Sequence, residues 1–119
     1  THWEREVERF PTPGELWSRY QIGLGLNTAT ANALLVPYFL QPNREPRYYQ
    51  KVAITRAVEA VIGGKSRNLL TMATGTGKTY TAFQIIYRLW KSGAKKRILF
   101  LADRNALIDQ TRRGDFRHF

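Results

Sequence analysis

The sequence predicts an α/β fold: a parallel sheet with flanking helices, preceded by a short helical linker. Two apolar runs, at 68–72 and 98–102, have the length and composition of buried strands, and a segment with helical periodicity separates them. A glycine-rich turn joins the first run to that helix. Strand, turn, helix and strand in this order form a right-handed βαβ unit. Because parallel sheets need further strands, we expect the chain to be the truncated front of a larger domain.

The linker is predicted by capping and breaking residues. Thr12 and Glu15 stand at the N-cap and third helical positions, with a proline at the first, so a short helix should follow and end near 23–25, where glycines occur. An alanine-rich segment at 28–35 predicts a second short helix, and the prolines after it prevent continuation. We interpret 1–45 as a linker or packing arm.

The remaining helices follow from apolar periodicity. Apolar residues recur at helical spacing from 47 to 62, and Gly63 ends that pattern. A second amphipathic helix is predicted over 78–92 and closed by Gly93. A last helix is predicted over 104–111, after the second strand.

Charge and composition narrow the function classes. The chain of 119 residues has no cysteine, which excludes disulfides and thiolate metal sites, and no apolar run long enough to cross a membrane. We expect a cytoplasmic protein. The net charge is +10, and the segment from residue 47 onward carries fifteen Lys and Arg against four acids. This surplus favours a polyanionic partner such as nucleic acid; the alternative is a solvated surface that serves solubility.

The glycine-rich turn, Ala73-Thr-Gly-Thr-Gly-Lys-Thr79, predicts a phosphate-binding loop. Glycines let consecutive N–H groups face one anion, and the following helix adds the partial positive charge of its N-terminus. Lys78 is expected to reach the β- and γ-phosphates of ATP, and the Thr79 hydroxyl to ligate Mg²⁺. Met72 occupies the position where the general pattern has its first glycine. The alternative is a glycine turn that binds nothing. The predicted triphosphate-binding residues are Thr74, Gly75, Thr76, Gly77, Lys78 and Thr79.

Two further segments carry candidate site residues. Arg47, Tyr49 and Gln50 precede the loop by about 25 residues, and a glutamine there can bond the adenine edge while an aromatic or arginine plane stacks on the base. The alternative is two tyrosines packed against the sheet, with the arginine and glutamine in solvent. The second segment, 103–105, follows the second strand, where α/β folds place ligands. The three residues of this segment, Asp103, Arg104 and Asn105, are candidates for nucleic-acid contact. Asp103 is equally suited to cap a helix.

Together these motifs resemble those of superfamily 2 helicases and translocases. Arg47-x-Tyr49-Gln50 is similar to the Q motif, Ala73-Thr-Gly-Thr-Gly-Lys-Thr79 to motif I, and Leu101-Ala-Asp-Arg with Gln110 to motif Ia. The closer resemblance is to the motor (R) subunit of type I restriction enzymes. It is carried by those segments, by Phe10-Pro-Thr-Pro-x-Glu-Leu-Trp17 and by Arg97-Ile-Leu-Phe-Leu-Ala-Asp-Arg-Asn-Ala-Leu-Ile-Asp-Gln110.

The resemblance implies a RecA-like domain, with 46–119 as its N-terminal part, that pumps double-stranded DNA using ATP and Mg²⁺. It also implies methylation and specificity subunits as partners. The chain contains no Asp-Glu motif II, second lobe or nuclease carboxylate cluster, so we expect the fragment alone to be inactive. Two alternatives remain open. One is another superfamily 2 DNA or RNA helicase, and the other is a nucleotide- or nucleic-acid-binding module that does not hydrolyse ATP.

Overall fold

Four helices make up the regular structure of the described chain. The computed structural model describes residues 4–42 and 44–102. All four helices lie where the sequence predicted them, while the predicted helix at 104–111 falls outside the described residues. The helices are α1 (Pro13–Leu24), α2 (Thr28–Leu35), α3 (Tyr48–Ile62) and α4 (Lys78–Lys91).

The ends of α1 confirm the capping prediction. The Glu15 N–H donates to the Thr12 hydroxyl at 3.3 Å, and the Thr12 N–H donates to the Glu15 carboxylate at 2.7 Å. Both groups of this box thus satisfy N–H donors that the first helical turn leaves open. Gly25 ends the helix in the left-handed conformation, at a φ of 64°. The sequence therefore determines both ends of α1 locally.

Helices α2, α3 and α4 pack around one apolar cluster. Its buried members are Ala33, Ile54, Val58 and Leu89. Partly buried apolar side chains from the last turn of α3 and from the turn after α4 pack against the same cluster, among them Ile62 and Ala94. The N-terminal ends of α3 and α4 also meet, as described below, so the two helices run side by side in the same direction.

The segment between α2 and α3 packs along α4. The buried Gln84 side chain accepts from the Phe39 N–H at 3.0 Å and donates to the Phe39 carbonyl at 2.8 Å. The Phe39 ring meets the rings of Phe83 and Tyr87 edge-on, and the Arg88 guanidinium lies 4.1 Å from the centre of the Tyr38 ring. These contacts hold the linker against the helix that begins at the glycine loop.

The predicted strands are not present as strands within 4–42 and 44–102. Residues 68–72 and 98–102 form no strand, and most of their apolar side chains are exposed: Leu69 is 91% exposed and Leu99 81%. A strand exists only when its backbone bonds to a neighbour, and two apolar runs do not supply a covered parallel sheet. The helical part of the α/β prediction is therefore confirmed, and the sheet is not.

Candidate nucleotide-binding site

The glycine loop turns tightly into α4. Gly75 and Gly77 have φ values of 77° and 81°, in the left-handed region that favours glycine, and Gly77 is the N-cap of the helix. The Thr76 hydroxyl donates to the Ala73 carbonyl at 2.6 Å and closes the turn. Lys78 is thereby placed at the first position of α4, where its side chain is exposed.

The start of α4 offers backbone donors to an anion. The Thr81 N–H donates to the Gly77 carbonyl at 2.9 Å and begins the helical ladder. The N–H groups of Lys78 and Thr79 precede it and have no acceptor among the described residues. Two open donors, a cation and a hydroxyl therefore share one helical turn, beside the partial positive charge of the helix N-terminus. This donor set fits a phosphate group with its divalent cation.

Gln50 ties the start of α3 to the loop. Its side chain is buried, with 6% of the residue's surface exposed. The amide oxygen accepts from the Arg47 N–H at 2.9 Å, and the amide nitrogen donates to the Thr76 carbonyl at 2.8 Å. A Cβ placed on Gly77 would lie 2.5 Å from that nitrogen. A side chain at position 77 would therefore have to displace the Gln50 amide from its place beside the loop.

Tyr49 contacts the same carbonyl, and Arg47 contacts Tyr49. The Tyr49 hydroxyl donates to the Thr76 carbonyl at 3.4 Å, and the Arg47 guanidinium donates to the Tyr49 hydroxyl at 3.2 Å. The predicted group of Arg47, Tyr49 and Gln50 thus lies beside the loop, although 26 or more positions separate these residues from Thr76 in the sequence. The alternative interpretation, in which both tyrosines pack against a sheet, does not describe Tyr49, because its hydroxyl contacts the loop.

A cleft of about 310 Å³ opens between the loop and the start of α3. Arg47, Gln50, Gly75 and Gly77 line it together with residues that the sequence analysis missed. The missed residues are Arg44, Glu45 and Tyr80.

The missed residues form a second wall of the cleft. The Arg44 guanidinium lies 4.4 Å from the centre of the Tyr80 ring, and the Tyr80 hydroxyl donates to the Arg44 carbonyl at 3.3 Å. The Lys51 ammonium lies 2.7 Å from the Glu45 carboxylate and holds the pKa of that carboxyl below its ordinary value. No motif marks these residues, and the contact between Arg44 and Tyr80 spans 36 positions, which leaves no local signal in one sequence.

Three predicted nucleic-acid residues cannot be placed. Asp103, Arg104 and Asn105 lie outside the described residues. Among the residues that are described, no helix is long and apolar enough to cross a membrane.

Comparison with known families decides what kind of protein carries this site. A family model described as "Type III restriction enzyme, res subunit" matches residues 43–119, which include the loop, the cleft and α4. The chain belongs to this family of restriction-enzyme subunits. The matched range begins near the end of the linker, so the family model covers both walls of the cleft.

One relative matches most of the chain, the linker included. The endonuclease subunit of the type I restriction enzyme EcoAI from Escherichia coli is 54% identical over 114 residues, which are 95% of this chain and 14% of that protein. The EcoKI endonuclease subunit from Escherichia coli strain K12 is 50% identical over 64 residues, 54% of this chain and 6% of that protein. The resemblance to type I restriction subunits is thereby confirmed. The chain spans only a small part of these relatives.

A solved structure and a more distant protein complete the comparison. A fragment of an HsdR subunit of a type I restriction enzyme from Vibrio vulnificus YJ016 has a TM-score of 0.64 and 50% identity, covering 72% of this chain and 16% of that one. UvrABC system protein B from Streptococcus pyogenes serotype M5 is 36% identical over 83 residues, 70% of this chain and 12% of that protein. The restriction subunits are thus the more similar proteins of the two kinds.

Proposed function

We propose that this chain is the ATP-binding part of an ATP-dependent DNA translocase, within the restriction subunit of a type I restriction endonuclease. The observation that carries the proposal is the first turn of α4. Its open N–H groups, Lys78 and Thr79 follow two glycines in left-handed conformation, beside a cleft large enough for part of a nucleotide. The 54% identity to the EcoAI endonuclease subunit supports the restriction role.

Each loop residue has a distinct task in this proposal. The backbone from 74 to 77 and the N–H groups of Lys78 and Thr79 surround the phosphates, and the Lys78 ammonium neutralises charge on the β- and γ-phosphates. The Thr79 hydroxyl would be a ligand for Mg²⁺, which would supply neutralisation of the negative charge on the phosphates.

The residues from α3 would orient the base. Gln50 uses one amide hydrogen and one oxygen lone pair within the protein, which leaves one of each for the adenine edge. Arg47 lines the cleft and donates to the Tyr49 hydroxyl, and both side chains offer planar groups for stacking. Because the Gln50 amide also donates to the Thr76 carbonyl, this arrangement supports a role in which binding of the base is coupled to the loop.

The larger assembly also belongs to the proposal. A RecA-like parallel sheet would include 68–72 and 98–102, and Asp103, Arg104 and Asn105 would lie near double-stranded DNA. Methylation and specificity subunits would be the protein partners. The basic character of the chain from residue 47 onward supports a DNA partner, because ATP alone does not require so large a surplus.

Substitution of Lys78 tests the ATP role. We expect Lys78→Ala in the full-length protein to weaken Mg-ATP binding roughly tenfold to a hundredfold, the loss of a charge-assisted bond, and to abolish DNA-stimulated ATP hydrolysis. Arg19→Ala is the matched control, because it removes an exposed cation from α1, away from the cleft. Equal nucleotide affinity in both variants would show that Lys78 does not contribute to nucleotide binding.

A second candidate is another superfamily 2 motor, which the similarity to UvrABC system protein B supports at lower identity. The two functions differ in their product. A restriction subunit combined with methylation and specificity subunits should cut unmodified duplex DNA in an ATP-dependent reaction. ATP hydrolysis stimulated by DNA without any such cleavage would favour the second candidate.

A further inference from the structure

A cluster of cations lies at the end of the α3–α4 pair that is opposite to the nucleotide cleft. Five exposed side chains occupy the turns that follow these two helices: Lys65, Arg67, Lys95, Lys96 and Arg97. We refer to them as the basic end surface. Along α3, the rise from Gln50 to Ile62 separates this surface from the cleft by roughly 20 Å.

The two turns are anchored to neighbouring helix ends. The Lys65 N–H donates to the Ala60 carbonyl at 2.9 Å, which fixes the first turn to the end of α3. The Lys95 N–H donates to the Leu89 carbonyl at 3.0 Å and fixes the second turn to the end of α4. Ile62 and Ala94 pack on the same apolar cluster, so the two turns lie at the same end of the helix pair. Five charges from two separate segments of the sequence therefore lie at this one end.

No acidic side chain of the described residues forms an ion pair with the basic end surface. The described ion pairs join other residues, and none of the five cations is among them. Glu59, which lies on the last turns of α3, bonds instead to the Tyr20 hydroxyl and lies 3.2 Å from the Arg56 guanidinium. Glu59 and Lys65 line one cleft, yet the described contacts of the Glu59 carboxylate are to Tyr20 and Arg56 and not to any of the five cations.

We propose that the basic end surface binds the phosphate backbone of duplex DNA, at a contact separate from the nucleotide cleft and from 103–105. Packed helices lie about 8–10 Å apart, so the two turns span several phosphates of a duplex that carries one charge per about 1.7 Å of its axis. Cations at helix C-termini also interact favourably with the helix dipole, but that role does not require two exposed turns to lie at one surface. The inference rests on the proposed DNA partner and not on the ATP site.

The test measures the salt dependence of duplex binding by the full-length protein. Lys95→Gln/Lys96→Gln should lower the slope of log affinity against log salt concentration by roughly 0.9 per lysine removed, and weaken binding several-fold. Lys95→Arg/Lys96→Arg, which keeps both charges, should restore the slope. Arg5→Gln/Arg19→Gln removes two exposed cations elsewhere and should leave it near the wild-type value.

Three results overturn the inference. An unchanged slope in the glutamine pair shows that these lysines contact no phosphate. An equal loss in the Arg5 and Arg19 pair shows that only net charge matters. If the wild-type protein binds no duplex, the proposed DNA partner fails together with the surface, whereas Mg-ATP binding separately reports on the cleft and on correct folding of each variant.

Discussion

At the scale of single residues, Gly77 is constrained by two independent requirements. Its φ of 81° disfavours any side chain, and a Cβ there would lie 2.5 Å from the Gln50 amide nitrogen. Gly75 has a similar φ of 77°, yet a Cβ there would meet nothing within 4 Å. A side chain at position 75 would therefore meet backbone strain alone, whereas a side chain at position 77 would meet both strain and a clash with Gln50.

Alanine substitutions at the two glycines should differ by the contact with Gln50. Gly75→Ala is expected to cost about 1–2 kcal/mol from backbone strain. Gly77→Ala should cost about 1 kcal/mol more, because the added methyl displaces the amide from the Thr76 carbonyl. Amide hydrogen exchange in the first turns of α4 measures the free energy of local opening for each variant.

A second substitution isolates the cause. In a Gln50→Ala background the methyl has nothing to displace, so Gly77→Ala and Gly75→Ala should then cost the same. A difference that persists without the glutamine side chain would show that the loop backbone, and not Gln50, excludes the methyl.

At the scale of elements, α1 is joined to α3 through one polar contact. The Tyr20 hydroxyl donates to the Glu59 carboxylate, and Trp17 stacks on the Tyr20 ring at 5.6 Å. Burial, together with the hydrogen bond to Glu59 and its charge, raises the pKa of Tyr20 to about 12. The neutral phenol is therefore the form that the docked α1 favours.

This contact predicts a loss of α1 docking in alkali. The folded pKa of Tyr20 lies above its ordinary value of about 10, so its contribution is fully present below pH 10 and is lost as the pH rises through about 12. Hydrogen exchange of α1 amides, compared between wild type and Tyr20→Phe, checks this. The protection that wild type has over Tyr20→Phe should shrink as the pH rises from 10 towards 12; a difference that is independent of pH would contradict the assignment.

Helix positions were predictable because their signals are local. Thr12 and Glu15 cap α1 from within four residues, and Gly63 ends α3. The contact of Gln84 with Phe39 was not predictable, since a glutamine in a helix ordinarily faces solvent and its partners here are backbone groups 45 positions away. Gln50 was predicted as a site residue, yet its bond to Thr76 depends on how α3 and α4 pack.

At the scale of the whole molecule, the apolar runs are where sequence pattern and described structure differ. Composition suits 68–72 and 98–102 to buried strands, but Leu69, Leu99 and Leu101 are 91%, 81% and 79% exposed. Strand formation depends on neighbours that pattern within a run does not specify. The glycine loop, by contrast, adopts its conformation from its own residues and from α3. The conformation of the glycine loop is thus specified more locally than the predicted sheet.

The exposed apolar runs at 68–72 and 98–102 lead to a prediction for a longer protein, one as long as the relatives described above. If 68–72 and 98–102 are adjacent parallel strands there, their amides bond to one another or to further strands and become protected from hydrogen exchange. In the 119-residue chain alone the same amides should exchange rapidly, while those of α3 remain protected by the shared apolar cluster. The helix serves as the internal reference, because its bonds are complete in both. Rapid exchange of both runs in the longer protein would show that α3 and α4 support the loop without a sheet.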